Sequence, residues 1–420
     1  MSHEIAAGGV RLVYSMPAWP SDILRSVQFT HFFESHDGVP FLVQTRDGWS
    51  WSSSERAPAF TVTFSSRESL DAVINGSSED ALARAFLEGD LDIQGDIFTL
   101  LNVAEYILRH SHGISRNVIR TLAQASIGWF KRLSASAEDT LSGGGRRASC
   151  SLNLPASFFR PWLGESLGSC CAAFTSPRDG LDTAQMRRLD HVCEALELSS
   201  DDRLLDANCG WGSLLLFAGK HGVCAKGIAA AEHQACIATD RIMRHNLHDR
   251  CHAVWGAVRH PQGVPGSYDK IVDIGAFDQV MHSHLADFLT RMQKLLVPGG
   301  RLLLHRLTRT RPLPRFSTGS QHAEVASAND LTSLAAELQC AESVGLHTLQ
   351  VTDLGEQYRR TLRAWIDNLQ HSSSPCHTCQ EYRDYRSWLF CLLDTVSNLE
   401  TGILQFHELV LVRPADAPTN

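Results

Sequence analysis

The sequence predicts an α/β protein, with a parallel sheet covered by helices on both faces and a smaller α+β domain ahead of it. Three observations predict this. After residue 186, helical and strand periodicities alternate with short links, the pattern of a parallel sheet buried on both sides. Residues 133–150, "LSASAEDTLSGGGRRASC", are rich in Ser, Gly and Ala and read as a linker. The stretch before them has strand and helix patterns of its own. The 420 residues allow two domains, expected at 1–135 and 151–416 with a linker over 136–150.

In the first domain, "AFTVTFSS" alternates Phe60, Val62 and Phe64, the period of a half-buried strand. "SEDALARAFLEGDLDIQGD" predicts a short helix with Leu82, Phe86 and Leu87 as its apolar positions, ended by Gly89. "IFTLLNVAEYILRH" reads as an amphipathic helix. Packing accounts for all of these.

The second domain runs in order. "MRRLDHVCEALEL" is helical, "RLLDA" a strand, and "GSLLLFAGKHG" a helix ended by Gly222. "VCAKGIA" is a strand and "EHQACIATDRIMRHNL" a helix. "KIVDIGAF", "HLADFLTRMQKLL" and "GRLLLHRL" continue as strand, helix and strand. Ligands of such sheets bind at the carboxyl ends of the strands.

Composition removes several function classes. Hydrophobic content is 43% and charged content 20%, as in a globular rather than a disordered chain. The net charge of -8 argues against a general nucleic-acid binder, while leaving room for a local basic patch on anionic lipid. No apolar run reaches the ~20 residues that span a bilayer, and "MSHEIAAGGVRLVYSM" lacks the layout of a secretory signal. The 12 cysteines then read as reduced thiols, and the expected location is cytoplasmic, peripheral to the membrane. Cys376 and Cys379, near His371 and His377, form the one close pair. Without a second CxxC at zinc spacing they read as a polar loop between helices.

"LLDANCGWGS" (204–213) carries the chemistry. Asp206 ends a strand, and Asn208, Gly210 and Gly212 follow at spacing two. Glycines there let backbone approach a ligand. The spacing is not the dinucleotide GxGxxG. It is the acid-x-G-x-G-x-G loop of S-adenosylmethionine-dependent methyltransferases, with Asn208 for the first glycine, Asn being the residue after glycine that best tolerates a left-handed backbone. The alternative for such a loop is a tight strand–helix turn without a ligand.

Cys209-Gly210-Trp211-Gly212, "SFFRPWLGESLGSCCAAFTSPRDGLDTAQMRRLDHVCEALEL", "YDKIVDIGAFDQV", "LLVPGGRLLLHRLT", "YRRTLRAWIDNL" and "GILQFHELVLVR" occur in this order. Together they resemble the cyclopropane-fatty-acyl-phospholipid synthase family, which includes mycolic acid cyclopropane synthases. "EGDLDIQGDIF" is similar to the N-terminal domain of its longer members. The resemblance implies a Rossmann-like fold and methyl transfer from S-adenosylmethionine to a cis double bond of a lipid acyl chain. It also implies a bicarbonate ion that removes a proton as the ring closes. Position by position, it puts the bicarbonate site at Cys171, Asp278, His305 and Tyr358. The cofactor would meet Asp206, Asn208, Gly210, Gly212 and Gln234. Taken one at a time, these residues have plainer readings. Cys171 is a small buried hydrophobe, Asp278 a helix cap, His305 the polar end of a core strand, and Tyr358 packing. Glu232 reads better as first-turn helix stabilisation than as a ribose acceptor. Partners implied are unsaturated phospholipid acyl chains, transient membrane contact through the N-terminal domain, no nucleic acid, and a homodimer.

Departures from the family pattern gather around the cofactor. They are Ser151-Leu152-Asn153, Ser169-Cys170, Ala229, Ala257-Val258-Arg259, Gln279 and "STGSQHAEVASANDL". Two alternatives therefore stay open: a catalytically impaired lipid-binding relative, and a small-molecule methyltransferase of the same fold.

Overall fold

The structure is a computed structural model that describes residues 3–7, 10–14, 38–75, 85–86, 88–99, 103, 154–257, 263–275, 282–310, 331–372 and 379–415. The chain divides into two compact units. One comprises Met1–Ser142, Phe316–Gln321 and Cys379–Ser387, and the other the remainder. The predicted linker at 136–150, most of the helix predicted from "IFTLLNVAEYILRH", and Asp278 lie outside the described residues.

The first unit begins with β1 (His3–Ala7) and β2 (Val10–Tyr14), an antiparallel pair. β3 (Phe41–Thr45), β4 (Ser50–Ser52), β5 (Phe60–Phe64), α1 (Arg67–Asn75) and β6 (Leu91–Gly95) follow. Of these strands, only β5 was expected from the sequence. The four strands β3–β6 form a sheet in the order β4-β3-β5-β6, with β3 and β5 parallel. Phe41 stacks on Phe60 with ring centroids 5.3 Å apart and meets Trp51 edge-on at 5.7 Å. Such aromatic pairs add to burial energy and fix the register of neighbouring strands.

The stretch Cys379–Ser387 belongs to this unit, whereas the sequence reading put all of 151–416 in the second domain. The physical reason is Arg386. Its buried guanidinium donates to the Leu91 carbonyl at 2.7 Å, to the Phe86 carbonyl, and to Asp92 at 3.1 Å. A buried charge needs such partners, and a periodicity argument does not see them.

The second unit holds α2 (Ala156–Leu163), α3 (Leu181–Leu196), β7 (Arg203–Asp206), α4 (Ser213–Lys220), β8 (Cys224–Ala229), α5 (Glu232–Arg244) and β9 (Cys251–Trp255). β10 (Tyr268–Asp273), α6 (His282–Leu295), β11 (Leu296–Arg309), α7 (Leu334–Ser343), β12 (His347–Asp353) and α8 (Gly355–His371) come next. The larger part of α9 (Cys379–Glu400) and β13 (Leu404–Val412) complete it. Seven strands form one sheet in the order β12-β13-β11-β10-β7-β8-β9. All pairings are parallel except those of β13, which runs antiparallel to both β11 and β12. The predicted parallel sheet is present, and β13 is its one reversed strand. The order changes direction beside β7, the crevice where such sheets bind ligands.

Apolar side chains fill both faces. Leu204, Val272 and Leu303 lie in one core with Leu214 and Leu215 of α4, while Leu205, Ile271 and Leu304 lie in the other with Phe288 and Leu289 of α6. The period-2 alternation of β7, β10 and β11 accounts for this split. α8 buries Tyr358, Thr361, Leu362, Trp365, Ile366 and Leu369, a stripe at helical spacing.

Candidate active site

The loop after β7 keeps its turn geometry. Gly210 (φ 50°) and Gly212 (φ 83°) occupy the left-handed region, where a Cβ is penalised. The Cys209 amide donates to the Ile228 carbonyl at 2.9 Å, which ties the loop to β8. Gly227 makes room for it, because a Cβ there would lie 2.6 Å from the Cys209 sulfur. Asn208 departs from expectation. It is not among the residues with positive φ, so the tolerance of Asn for left-handed backbone is not used. Its side chain instead lies against Gly275, where a Cβ would come within 2.3 Å of Nδ2.

A shallow cleft of about 30 Å³, open to solvent, lies over this loop. Gly168, Ser169, Cys170, Asp206, Asn208 and Gly275 are among its walls. Asp206 is buried, and its carboxylate accepts one long bond, 3.3 Å from the Asn208 amide. Burial pushes its pKa up to about 7; the Asn208 amide opposes this and the neighbouring Asp273 adds to it. Gln234, on the buried face of α5, has an Oε1 atom without a hydrogen bond among the described residues. The buried Asp206 carboxylate at the cleft, short of donors, suits a cationic ligand. S-adenosylmethionine, with a sulfonium, an ammonium and a ribose, is such a ligand.

Next to this cleft lies a second cluster. Cys170 faces the cleft, and Cys171, one residue on, is fully buried. The Cys171 carbonyl accepts from Arg188 Nε at 3.1 Å. Arg188 reaches Glu408 with Nη1 at 3.4 Å, and His191 Nε2 meets the other oxygen of Glu408 at 2.8 Å. His305 Nε2 lies 3.1 Å from Glu408 Oε2. His305 and Glu408 are direct partners across β11 and β13, so both point to one face of the sheet. Phe406, two residues from Glu408, shares that face. It stacks on Tyr358 at 4.0 Å and meets His305 edge-on at 5.6 Å. The adjacent amide of Ala172 donates to Thr361 Oγ1 of α8 at 2.9 Å.

Three of the four residues expected to share a site, Cys171, His305 and Tyr358, therefore gather on one face. The fourth, Asp278, is outside the described residues. Burial raises the Cys171 thiol to about 12 and pushes the Tyr358 phenol well above its usual range. Both are neutral hydrogen-bonding groups at physiological pH. Burial also lowers the His305 pKa, against the opposing pull of Glu408. Burial alone would raise Glu408, but the hydrogen bonds from His191 and His305 outweigh it and hold the carboxyl well below the usual carboxylate range.

Sequence reasoning missed Glu408, Arg188 and His191. Arg188 sits on the buried stripe of α3, among Ala184, Gln185, Leu189 and Val192, and Glu408 sits inside an apolar strand. A charge at a core position is the signal that could have found both. Cys376 and His377, read from the sequence as part of a polar loop, fall outside the described residues. Among those described, no cluster of His, Cys, Asp or Glu could hold a metal ion.

A parallel-type sheet with one reversed strand, a glycine loop after β7 and an acceptor-lined cleft above it define a Rossmann-like, S-adenosylmethionine-dependent methyltransferase. The chain belongs to the family described as mycolic acid cyclopropane synthetase, whose sequence profile matches residues 147–409. It is 26% identical over 373 residues to a probable fatty acid methyltransferase of Pseudomonas putida, covering 87% of this chain and 91% of that one. It is 26% identical over 270 residues to cyclopropane mycolic acid synthase 1 of Mycobacterium tuberculosis, covering 61% and 93%. Among solved structures, mycolic acid cyclopropane synthase CmaA1 complexed with SAH and CTAB superposes with a TM-score of 0.56 at 23% identity. It covers 62% of this chain and 95% of that one.

Proposed function

We propose that the protein transfers a methyl group from S-adenosylmethionine to a cis double bond in a phospholipid acyl chain. One observation carries the proposal: consecutive residues, Cys170 and Cys171, belong to the cofactor cleft and to the buried proton-handling cluster. An acceptor held between them would meet a methyl donor and a base within one site. When bound, S-adenosylmethionine supplies an electrophilic methyl group on a sulfonium. Asp206 and Gln234 would bind it, with Gly210 and Gly212 allowing close backbone approach. An alkene is a weak nucleophile, so the protein's task is alignment and exclusion of water. The aromatic side chains of Phe159, Trp162, Trp365 and Trp388 form a contiguous apolar mass beside α8. Peripheral contact with the membrane through the N-terminal unit, and a homodimer, are part of the same proposal.

Bicarbonate, which the family resemblance implies, would meet His305 through Nδ1, because Glu408 holds Nε2. When bound it would supply a base for the proton released on ring closure.

The test is incubation with methyl-labelled donor and vesicles of monounsaturated phosphatidylglycerol, followed by mass spectrometry of the chains. Label in the lipid, with a mass gain of one CH2 group, is the expected result. Label that appears only on small amines would overturn the lipid assignment. The position of Asn208 favours a second reading, a lipid-binding relative with weakened cofactor affinity, because its side chain stands at the cleft wall against Gly275. Saturable, tight binding of S-adenosylmethionine in calorimetry would exclude that reading.

A further inference from the structure

We propose that Gln185 of α3, which does not itself line the cofactor cleft, holds the strained turn that forms one wall of it, and so sets the affinity for S-adenosylmethionine. The proposal rests on the methyl-transfer reading above. Three observations carry it. First, Leu167, in the wall of the cleft, is buried and has φ 52°. Among the described residues, the other non-glycine positions with positive φ are Glu197, which caps α3, and Asn246, which follows the cap of α5. A left-handed residue is ordinary at such helix ends. Leu167 lies beyond Gly164, the cap of α2. A buried leucine in that region persists only where its surroundings over-determine it, and such strain gathers at ligand sites. Second, Gln185, 1% exposed, brackets this residue. Its Nε2 donates to the carbonyls of Leu163 at 3.1 Å and Gly168 at 2.9 Å, and its Oε1 accepts from Ser166 Oγ at 2.6 Å. Ser166 Oγ in turn accepts from the Gly168 amide at 3.1 Å. A flipped carboxamide would turn its oxygen towards two carbonyls, so the orientation is fixed. Third, the turn is tied to the helix of the cofactor loop: Ser213 Oγ, at the start of α4, donates to the Ser166 carbonyl.

The two sides of the cleft are thereby one construction. Leu167, Gly168, Ser169 and Cys170 come from the turn, and Asp206, Asn208 and Ser213 from the loop after β7. The Ser169 hydroxyl lies over that loop, 3.5 Å from where a Cβ on Gly210 would stand. The buried Asp206 carboxylate, with its single long bond, marks this as the ligand side. A Leu167 relaxed to ordinary backbone would redirect the chain at Gly168 and Ser169, and the wall would leave its place opposite Asp206. In a site of this kind a displacement of about 1 Å costs on the order of 100-fold. Gln185 opposes that relaxation. A neutral amide suits the task, because two donors meet two carbonyls and one acceptor meets a hydroxyl. Gln185 acts through the turn and is a positioning residue.

The test is calorimetric binding of S-adenosylmethionine to full-chain variants, read beside their melting temperatures. Gln185→Met keeps the length of the side chain and loses its amide. The dissociation constant should rise about 10–100-fold, while KM for phosphatidylglycerol vesicles stays near the wild-type value. A folded Gln185→Met with unchanged affinity, whatever its melting temperature, would make Gln185 a packing residue and refute the proposal. Leu167→Gly separates the two roles, because glycine takes a left-handed backbone without strain. Added to Gln185→Met, it should recover roughly 10-fold in affinity even as the lost leucine lowers the melting temperature further. Losses of affinity that simply add would overturn the proposal. If Gln185→Met does not fold, Ser166→Ala removes part of the same bracket. Its affinity should fall several-fold, and an unchanged value would refute the proposal too. Wild-type protein that shows no saturable binding of S-adenosylmethionine would mark failure of the methyl-transfer reading, and this proposal would fall with it. Wild-type binding that is indifferent to Gln185 and Ser166 would mark failure of the Gln185 assignment alone.

Discussion

The two halves of the site treat their polar groups in opposite ways. Around Glu408 the carboxylate is met from three sides, by a guanidinium and two imidazole nitrogens, and among the described residues only His305 Nδ1 is left open. Around Asp206 the polar groups are not met in this way. The carboxylate has one long hydrogen bond and Gln234 keeps an unused oxygen. The first half is assembled by folding itself. The second half leaves buried acceptors open, which is what a binding site for a donor-rich ligand would do. A satisfied network specifies position, and an unsatisfied one specifies affinity.

The largest effect should come from breaking the satisfied half. Arg188→Met leaves Glu408 buried without its guanidinium, and stability in urea should drop by about 3–5 kcal/mol. Arg188→Met combined with Glu408→Gln should recover much of that, because both charges are then gone. A single variant as stable as wild type would mean that water already reaches Glu408.

In the unsatisfied half the signs reverse. Asp206→Asn should weaken S-adenosylmethionine binding about 10–100-fold, the loss of a charge-assisted contact of roughly 1.5–3 kcal/mol. The same change should stabilise the ligand-free protein at pH 8. Burial raises the folded pKa of Asp206 to about 7 from an ordinary 3.8. Its contribution is therefore full below the unfolded value and is lost as pH rises towards 7, since the folded state holds a proton that the unfolded state has released. Melting curves across that window should show wild type losing stability relative to Asp206→Asn. A gap that does not change with pH would refute the shift.

A finer measure of the contrast is proton release. A cationic ligand beside Asp206 should pull its pKa back down, so binding near pH 6 should expel a proton. Calorimetry in buffers of different ionisation enthalpy reads that directly, and proton uptake would be the contrary result. The smallest expected effect is that of Asn208→Gly, which clears the cleft wall at Gly275. Affinity should rise a few-fold, roughly 0.5–1 kcal/mol. A fall would make the Asn208 amide a ligand contact instead.

Much of the second unit could be read from the sequence, because β7, β8, β10 and β11 and the helices α3 to α6 each carry their own period. β9 and β12 could not. Their exposed positions, such as Trp255 and Leu349, blur alternation at the two sheet edges. The cofactor loop was legible from the spacing of Asp206, Gly210 and Gly212. The Glu408 cluster was not, since its members are joined by register across β11 and β13 and by packing of α3, relations between segments far apart in the chain. The family resemblance supplied Cys171, His305 and Tyr358 without the carboxylate that organises them. Asn208 shows the limit of propensity reasoning: the residue type fits left-handed backbone, yet its backbone is not left-handed.

β13 slots between β11 and β12, both of which precede it in the chain. Until it emerges during synthesis, each of those strands exposes an open edge beside a finished apolar surface, a template for pairing with another nascent chain. The same late strand delivers Glu408. Closure of the sheet and the placing of Glu408 against His305 are thus one event in the life of the molecule.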